Sequence, residues 1–106
     1  MGVFGPGGDF LDSVASLQIE IDDPTGARVD ASTYTLGRVT IIGSGGRDTI
    51  IGSAQNDFLN GRGGRDQVFG GDGNDRLLGG GSSDLLVGGN GRDTILGNSG
   101  IDTISG

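Results

Sequence analysis

Residues 70–78 read GGDGNDRLL, and the same pattern recurs without interruption on both sides of this stretch. Residues 43–105 divide into seven rows of nine: GSGGRDTII, GSAQNDFLN, GRGGRDQVF, GGDGNDRLL, GGGSSDLLV, GGNGRDTIL and GNSGIDTIS. With positions in a row numbered as columns one to nine, column one is glycine, column six is aspartate and column eight is aliphatic in every row. A fixed period of this kind predicts a solenoid built from one repeated unit.

Each row predicts a six-residue turn ending in aspartate, followed by a three-residue strand. Because side chains alternate between the two faces of a strand, only the middle residue of the three can point inward. Two rows then close one flattened coil of 18 residues, and stacked coils form two short parallel sheets that face each other. The glycines are expected to supply the positive φ angles of the turns. The predicted core is the aliphatic column: Ile50, Leu59, Val68, Leu77, Leu86, Ile95 and Ile104.

Composition excludes several classes of protein. Hydrophobic residues make up 32% of the 106 residues, against the usual 45–50%, so the chain lacks the material for a large conventional core. Without cysteine there is no disulfide framework or thiolate metal site. Without histidine the usual general base is missing, and we expect no catalytic residue and no enzyme. The net charge of -7 argues against a nucleic-acid partner, and no apolar stretch is long enough for a transmembrane segment.

The aspartates of alternate rows are expected to stack on the same edge of the roll. Asp48, Asp66, Asp84 and Asp102 fall on one edge, and Asp57, Asp75 and Asp93 fall on the other. Neighbours in a stack lie about one strand spacing apart, ~4.8 Å, where two like charges repel by about 1 kcal/mol in water and by more in a protein. Ca²⁺ relieves such repulsion because it takes carboxylate and carbonyl oxygens together, whereas Mg²⁺ demands a tighter octahedron. The columns therefore predict calcium sites.

The nonapeptide resembles the RTX (repeats-in-toxin) family, whose G-G-x-G-x-D-x-U-x repeat binds Ca²⁺ in a parallel β-roll. Residues 70–78 match this consensus at every defined position, and the resemblance covers residues 43–106. It implies an all-β, right-handed parallel β-roll (β-solenoid). It also implies that each ion lies between turns two rows apart, bound by the aspartates of both turns. Carbonyls of columns two and four of the earlier turn, and of columns one and three of the later turn, complete the site.

Seven turns paired in this way imply five sites. In chain order, their ligands would be Ser44, Gly46 and Asp48 with Gly61, Gly63 and Asp66; Ser53, Gln55 and Asp57 with Gly70, Asp72 and Asp75; Arg62, Gly64 and Asp66 with Gly79, Gly81 and Asp84; Gly71, Gly73 and Asp75 with Gly88, Asn90 and Asp93; and Gly80, Ser82 and Asp84 with Gly97, Ser99 and Asp102. Gln55 and Ser82 stand where column four has glycine in other rows, so their sites are expected to be the weakest. We also expect the repeat to be largely disordered without Ca²⁺.

Upstream of the rows, residues 13–42 are predicted to form an N-terminal cap, a strand or hairpin that covers the open end of the roll. Ala15, Leu17, Ile19 and Ile21 alternate with polar residues and predict a half-buried strand. Residues 23–26 (DPTG) predict a type I turn, and residues 28–30 a second strand. Residues 34–42 resemble a degenerate, metal-free coil element, since GRVTIIG at 37–43 parallels GRDTIIG at 46–52. Residues 1–12 are predicted to be a flexible lead.

The resemblance implies a module that folds on binding Ca²⁺ outside the cell. Such a module would serve a larger secreted bacterial protein, exported by type I secretion through an uncleaved C-terminal signal that this chain does not include. Its partners would be calcium ions and other domains of the parent protein. The alternative is a carbohydrate- or surface-binding module, alginate-epimerase-like or adhesin-like, built on the same roll and using Arg47 and Arg65.

The outward strand positions leave a second question open. Apolar side chains there indicate either ordinary sheet surface or a docking face for a neighbouring domain or a second copy of the chain. They are Ile51, Phe69, Val87 and Leu85 on one sheet, and Ile42, Leu78, Leu96 and Phe58 on the other.

Overall fold

The structure, a computed structural model, describes residues 16–21, 24–35 and 37–106. The predictions for residues 1–12 and for Ala15 and Asp23 lie outside these ranges. The described residues include no helix, and so none that is long and apolar enough to cross a membrane. They form ten strands: β1 (Ser16–Glu20), β2 (Arg28–Asp30), β3 (Arg38–Ile42), β4 (Thr49–Ile51), β5 (Phe58–Asn60), β6 (Gln67–Phe69), β7 (Arg76–Leu78), β8 (Leu85–Val87), β9 (Thr94–Leu96) and β10 (Thr103–Ser105).

The strands form two parallel sheets that together make a solenoid. One sheet has the order β1-β3-β5-β7-β9, and the other has the order β2-β4-β6-β8-β10. From β3 onward each strand pairs with the strand 18 residues later, so that Ile50 lies opposite Val68 and Leu59 opposite Leu77. Strands β4 to β10 occupy columns seven to nine of the seven rows. The all-β, parallel β-solenoid expected from the period of nine is therefore confirmed.

The core is the aliphatic column, extended by β3. Ile50, Leu59, Val68, Leu77 and Leu86 have no exposed surface, and the residues on either side of each are at most partly covered. Val39 and Ile41 of β3 are equally buried. The expected inward residue is not enclosed in the last two rows: Ile95 is half-buried, and Ile104 is 50% exposed. No strand among the described residues lies beyond β9 and β10 to cover them.

The cap extends the solenoid instead of folding into a hairpin. Strand β1 pairs in parallel with β3, and β2 pairs in parallel with β4, so the two strands lie in different sheets. A hairpin would make them antiparallel neighbours in one sheet. Their side chains contribute to the core: Ile21 and Ala31 are buried, and Leu17 and Ile19 pack against the buried cluster as the alternation predicted. The cap is therefore one more coil, with longer connections than the repeats have.

The outward strand positions form a mixed surface. In columns seven and nine the apolar side chains are half-buried, apart from Leu96, which is 45% exposed. On the sheet of β5 and β7, the Arg76 guanidinium lies 5.9 Å from the centre of the Phe58 ring, within the range of a cation–π contact. The prediction of a docking face on these positions stays a prediction.

Candidate metal centre

The aspartates of column six form two columns along opposite edges of the solenoid. On one edge, the backbone N–H of Asp48 donates to Oδ1 of Asp66 at 2.8 Å, and Asp66 donates in the same way to Asp84. Asp84 in turn donates to Asp102 at 2.9 Å. The other edge repeats the pattern from Asp57 through Asp75 to Asp93. The 18-residue coil thus brings together every aspartate that the sequence placed on a common edge, and one oxygen of each later carboxylate is held by the turn before it.

The second carboxylate oxygen has no partner in most of the turns. Oδ2 of Asp66, Asp75, Asp84 and Asp93 is buried and accepts no hydrogen bond. A buried carboxylate oxygen without a partner is costly, because it has lost its water and gained nothing in return. These four oxygens point to a ligand from outside the protein. A hard cation such as Ca²⁺, which binds carboxylate oxygen, fits them.

Burial also changes how readily these carboxylates ionise. Desolvation raises the pKa of Asp66 and that of Asp75 to about 7, although a backbone hydrogen bond to each carboxylate opposes the rise. The charges of neighbouring aspartates in the same column raise both values further. Desolvation likewise raises the pKa of Asp84, with a contribution from the Asp102 charge. Near neutral pH the columns therefore favour either a proton or a bound cation.

The turns of rows three to seven present carbonyl groups beside these carboxylates. Columns two and four of those rows have left-handed backbone, with φ between 66° and 102°. Carbonyl oxygens of columns two and four point at the turn two rows later: a Cβ atom added to Gly89 would lie 2.5 Å from the oxygen of Gly71, and one added to Gly73 would lie 2.5 Å from that of Gln55, which belongs to row two. Glycine suits such positions because it adopts positive φ without strain. Arg62, Ser82 and Asn98 adopt the same conformation without being glycine.

The glycine of column one has a different role from the one expected. None of the column-one glycines has a positive φ. A Cβ atom on Gly70 would instead lie 2.6 Å from Oδ2 of Asp75 and 2.7 Å from the carbonyl oxygen of Gly88. Gly79 stands in the same relation to Asp84 and Gly97. The prediction that turn glycines serve positive φ is therefore wrong for column one, where glycine leaves room for the carboxylate.

The first two turns are built differently from the other five. Ser44 and Ser53 occupy column two there, and neither they nor Gly46 and Gln55 in column four have a positive φ. The backbone N–H of Ser44 donates to Oδ2 of Asp48 at 2.8 Å, and that of Ser53 donates to Oδ2 of Asp57 at the same distance. Both serine side chains are buried beside the carboxylates. In these turns the protein itself satisfies the oxygen that the later turns leave unpaired.

Sequence reasoning named Ser44 and Ser53 only as carbonyl ligands, missed their bonds to the aspartates, and expected the weak positions in column four instead. Ser82 nevertheless adopts a φ of 70°, the conformation of its glycine counterparts, so its side chain does not alter the turn. The available signal was in column two, since rows one and two begin with Gly-Ser where the consensus has Gly-Gly. A serine at that position can bond to nearby backbone and carboxylate groups and so stabilise another turn.

Carboxylates alone do not form a complete metal site here. Among the residues that the structure describes, no three acidic side chains converge on one point. Two turns on one edge offer two aspartates, so any ion between them depends on carbonyl oxygens for the remainder of the 6–8 ligands that Ca²⁺ takes. The sites expected from the sequence have this mixed composition.

The fifth column distinguishes the two edges. On one edge, Asn56 Oδ1 accepts the Asn74 backbone N–H at 2.7 Å, and Asn74 Oδ1 accepts that of Arg92 at 2.8 Å. On the other edge, Arg47 and Arg65 line a shallow groove that also contains Asp66 and Asp84. The asparagines therefore tie successive turns together, while the arginines place positive charge near the buried carboxylates.

Comparison with known proteins agrees with this geometry. The chain matches the family model described as the RTX calcium-binding nonapeptide repeat (4 copies), over residues 40–68 and 69–104, which is more than half of its length. No curated protein and no solved structure gives a significant match. The matched residues contain the stacked strands, the aspartate columns and the unpaired carboxylate oxygens described above. The chain therefore belongs to the RTX calcium-binding nonapeptide repeat family.

Proposed function

We propose that this chain is a calcium-dependent folding module of a larger secreted protein, with a structural rather than a catalytic role. Ca²⁺ would bridge turns two rows apart on each edge of the solenoid. The observation that carries the proposal is the set of buried, unpartnered Oδ2 atoms of Asp66, Asp75, Asp84 and Asp93. They lie in the region that matches a calcium-binding repeat.

The proposed ligands come from this chain's turns in a regular way. Between rows four and six, for example, the carbonyls of Gly71 and Gly73 would join the carboxylates of Asp75 and Asp93. The pairs of rows three and five, and of rows five and seven, repeat this arrangement on the other edge. Two arguments support it: the carbonyls of columns two and four that point at the later turn, and the preference of Ca²⁺ for mixed carboxylate and carbonyl oxygen.

Ion binding would supply stability that the narrow core does not. Each coil contributes only two inward side chains, and the buried carboxylates repel one another when no ion is present. An ion that binds only the folded form stabilises it by about 2.7 kcal/mol when its concentration is 100 times the dissociation constant. Calcium sites of extracellular modules bind with dissociation constants of about 10⁻⁴–10⁻³ M. Such a chain would stay largely unfolded where free Ca²⁺ is scarce and would fold after export.

The test is circular dichroism of the whole chain in EDTA, followed by titration with Ca²⁺ and, as a matched control, with Mg²⁺. We expect the β signal to be largely lost in EDTA and to return cooperatively with Ca²⁺. Equal concentrations of Mg²⁺ should restore little of it, because Mg²⁺ keeps its waters and demands an octahedron. An unchanged β signal in EDTA would contradict the proposal.

A further inference from the structure

We infer that Ser44 and Ser53 replace calcium in the first two turns, so that the roll holds three ions and not the five implied by seven regular turns. The inference rests on the proposed function, because it assumes that the other turns do bind Ca²⁺. It also gives the N-terminal end of the repeat a different role, since these two turns would fold without a bound metal ion.

The first step is the contrast between the carboxylates. Asp48 and Asp57 have both oxygens engaged: Oδ1 accepts the backbone N–H of Ala27 in one case and of Val39 in the other, and Oδ2 accepts a serine N–H. The Ser53 hydroxyl adds a bond of 2.7 Å to Oδ1 of Asp57. Hydrogen bonds to the charged form of a carboxylate stabilise that charge. These two aspartates therefore need no cation, unlike the four whose buried Oδ2 atom accepts no hydrogen bond.

The second step is the backbone of the same turns. In rows three to seven, columns two and four both have positive φ. In rows one and two neither column has it. The Ser44 hydroxyl instead accepts the backbone N–H of Gly46 at 3.1 Å, and the Ser53 hydroxyl accepts that of Gln55 at the same distance. The serine thus holds the turn in another backbone conformation, in which the N–H of column two donates to the aspartate of its own row.

The third step is the choice of turn pairs. Rows three to seven have left-handed columns two and four, and none of them is closed by a serine in column two. Pairing those five turns two rows apart leaves rows three and five, four and six, and five and seven. The two pairs whose earlier turn is closed by serine are excluded. In the first two turns, donors from the protein already satisfy Asp48 and Asp57.

The experiment counts bound Ca²⁺ on the whole chain by native mass spectrometry and calorimetry. We expect three ions for the natural sequence. Ser44→Gly converts row one to GGGGRD and should raise the count to four, because it removes the bonds of the serine hydroxyl and frees column two for the positive φ that would turn its backbone N–H away from Oδ2 of Asp48. Adding Ser53→Gly and Gln55→Gly converts row two to GGAGND and should raise the count to five.

Two matched variants separate the role of the serines from a general effect of substitution. Ser44→Ala removes the hydroxyl but keeps a Cβ atom, and should leave the count at three. Ser82→Gly places glycine in a turn that already has the left-handed conformation, and should also leave it at three.

The outcomes are distinguishable. Five ions on the natural sequence would overturn the inference while supporting the proposed function, and no ion at all would contradict both. A count that stays at three in both glycine variants would show that serine is not the reason.

A second measurement covers the case in which the glycine variants fail to fold. Hydrogen exchange of the natural chain in EDTA should show residual protection at the amides of Ala27, Val39, Ser44 and Ser53, which belong to the small part of the β structure that remains, while the amides of residues 79–106 exchange quickly. Equal and fast exchange along the whole chain in EDTA would overturn the inference that the first two turns fold without metal.

Discussion

At the scale of single residues, the aspartate of column six connects each turn to the one before it. Its Oδ1 atom accepts a backbone N–H from the previous turn on the same edge, as Asp84 does from Asp66. Its Oδ2 atom lies against the column-one glycine of its own turn, as that of Asp84 does at Gly79. One side chain therefore carries both a permanent structural bond and the oxygen available to an ion.

Replacement of Asp84 by asparagine should separate these two roles. Asp84 belongs to two of the three proposed sites, so Asp84→Asn should reduce the number of bound Ca²⁺ from three to one. In EDTA the same variant should keep at least as much β structure as the natural chain, because it removes a buried charge whose pKa is raised by desolvation. Ion counting by native mass spectrometry and circular dichroism in EDTA measure the two effects.

Asp48→Asn is the matched control, since Asp48 lies in a turn closed by serine and in none of the three proposed sites. It should leave the count at three. A full complement of ions on the Asp84→Asn protein would show that this carboxylate is not a ligand.

At the scale of elements, each repeat strand is only three residues long and buries one side chain. Strands of this length are marginal alone, and here they are stabilised by a parallel neighbour on each side and by the opposite sheet. Strand β7 is such a central strand, lying between β5 and β9, and its Leu77 side chain has no exposed surface. Strand β10 is an edge strand with a half-exposed Ile104.

Leu77→Ala should therefore lower the free energy of unfolding in saturating Ca²⁺ by about 2–5 kcal/mol, the usual cost of a buried leucine replaced by alanine. Ile104→Ala removes a similar side chain at the open end of the stack, and should cost clearly less because half of that side chain is already in solvent. Urea unfolding followed by circular dichroism compares the two variants. Equal losses would mean that the last coil is as well enclosed as the middle ones.

At the scale of the whole molecule, the fold gathers like charges that the unfolded chain keeps apart. The net charge is -7, and seven aspartates are aligned in two columns on a narrow solenoid. Arg47 and Arg65 moderate this on one edge, but the buried carboxylates still need a proton or a cation. Stability of the whole roll should therefore depend on pH when no calcium is present.

The pH dependence has a definite sign. Asp66 and Asp75 have a pKa near 7 in the folded chain against 3.8 as the ordinary value, so the folded chain binds more protons than the unfolded chain between about pH 4 and pH 7. Their contribution to stability is then fully present below pH 4 and is lost as the pH rises through 7. In EDTA we expect more β structure at pH 5 than at pH 8, by circular dichroism.

With calcium the dependence should reverse, because protons compete with Ca²⁺ for the same oxygens and weaken its binding below pH 7. The control is a chain carrying Asp66→Asn and Asp75→Asn, which should flatten the pH profile in EDTA. A natural chain that is more ordered at pH 8 than at pH 5 in EDTA would contradict the role given to these two groups.

Much of the architecture follows from local pattern alone. The period of nine placed strands β4 to β10 in columns seven to nine, with Leu77 and its counterparts inward, because strand alternation depends only on neighbouring residues. It also placed Asp66 above Asp84 on one edge, since a coil of 18 residues returns the chain to the same side. The calcium-binding character follows from carboxylates at that spacing.

Only the tertiary structure decided the contacts between coils. Whether Asp48 has a free oxygen depends on the φ angle of Ser44 and on the Ala27 N–H, which comes from 21 residues away. The parallel arrangement of β1 and β2, and the exposure of Ile104, likewise depend on which coil lies next to them. The sequence by itself determined the repeated unit and its chemistry, because these are properties of nine residues. The contacts between coils decided the rest: in some rows the protein donates hydrogen bonds to both carboxylate oxygens of the aspartate, and in others one oxygen is left for a metal ion.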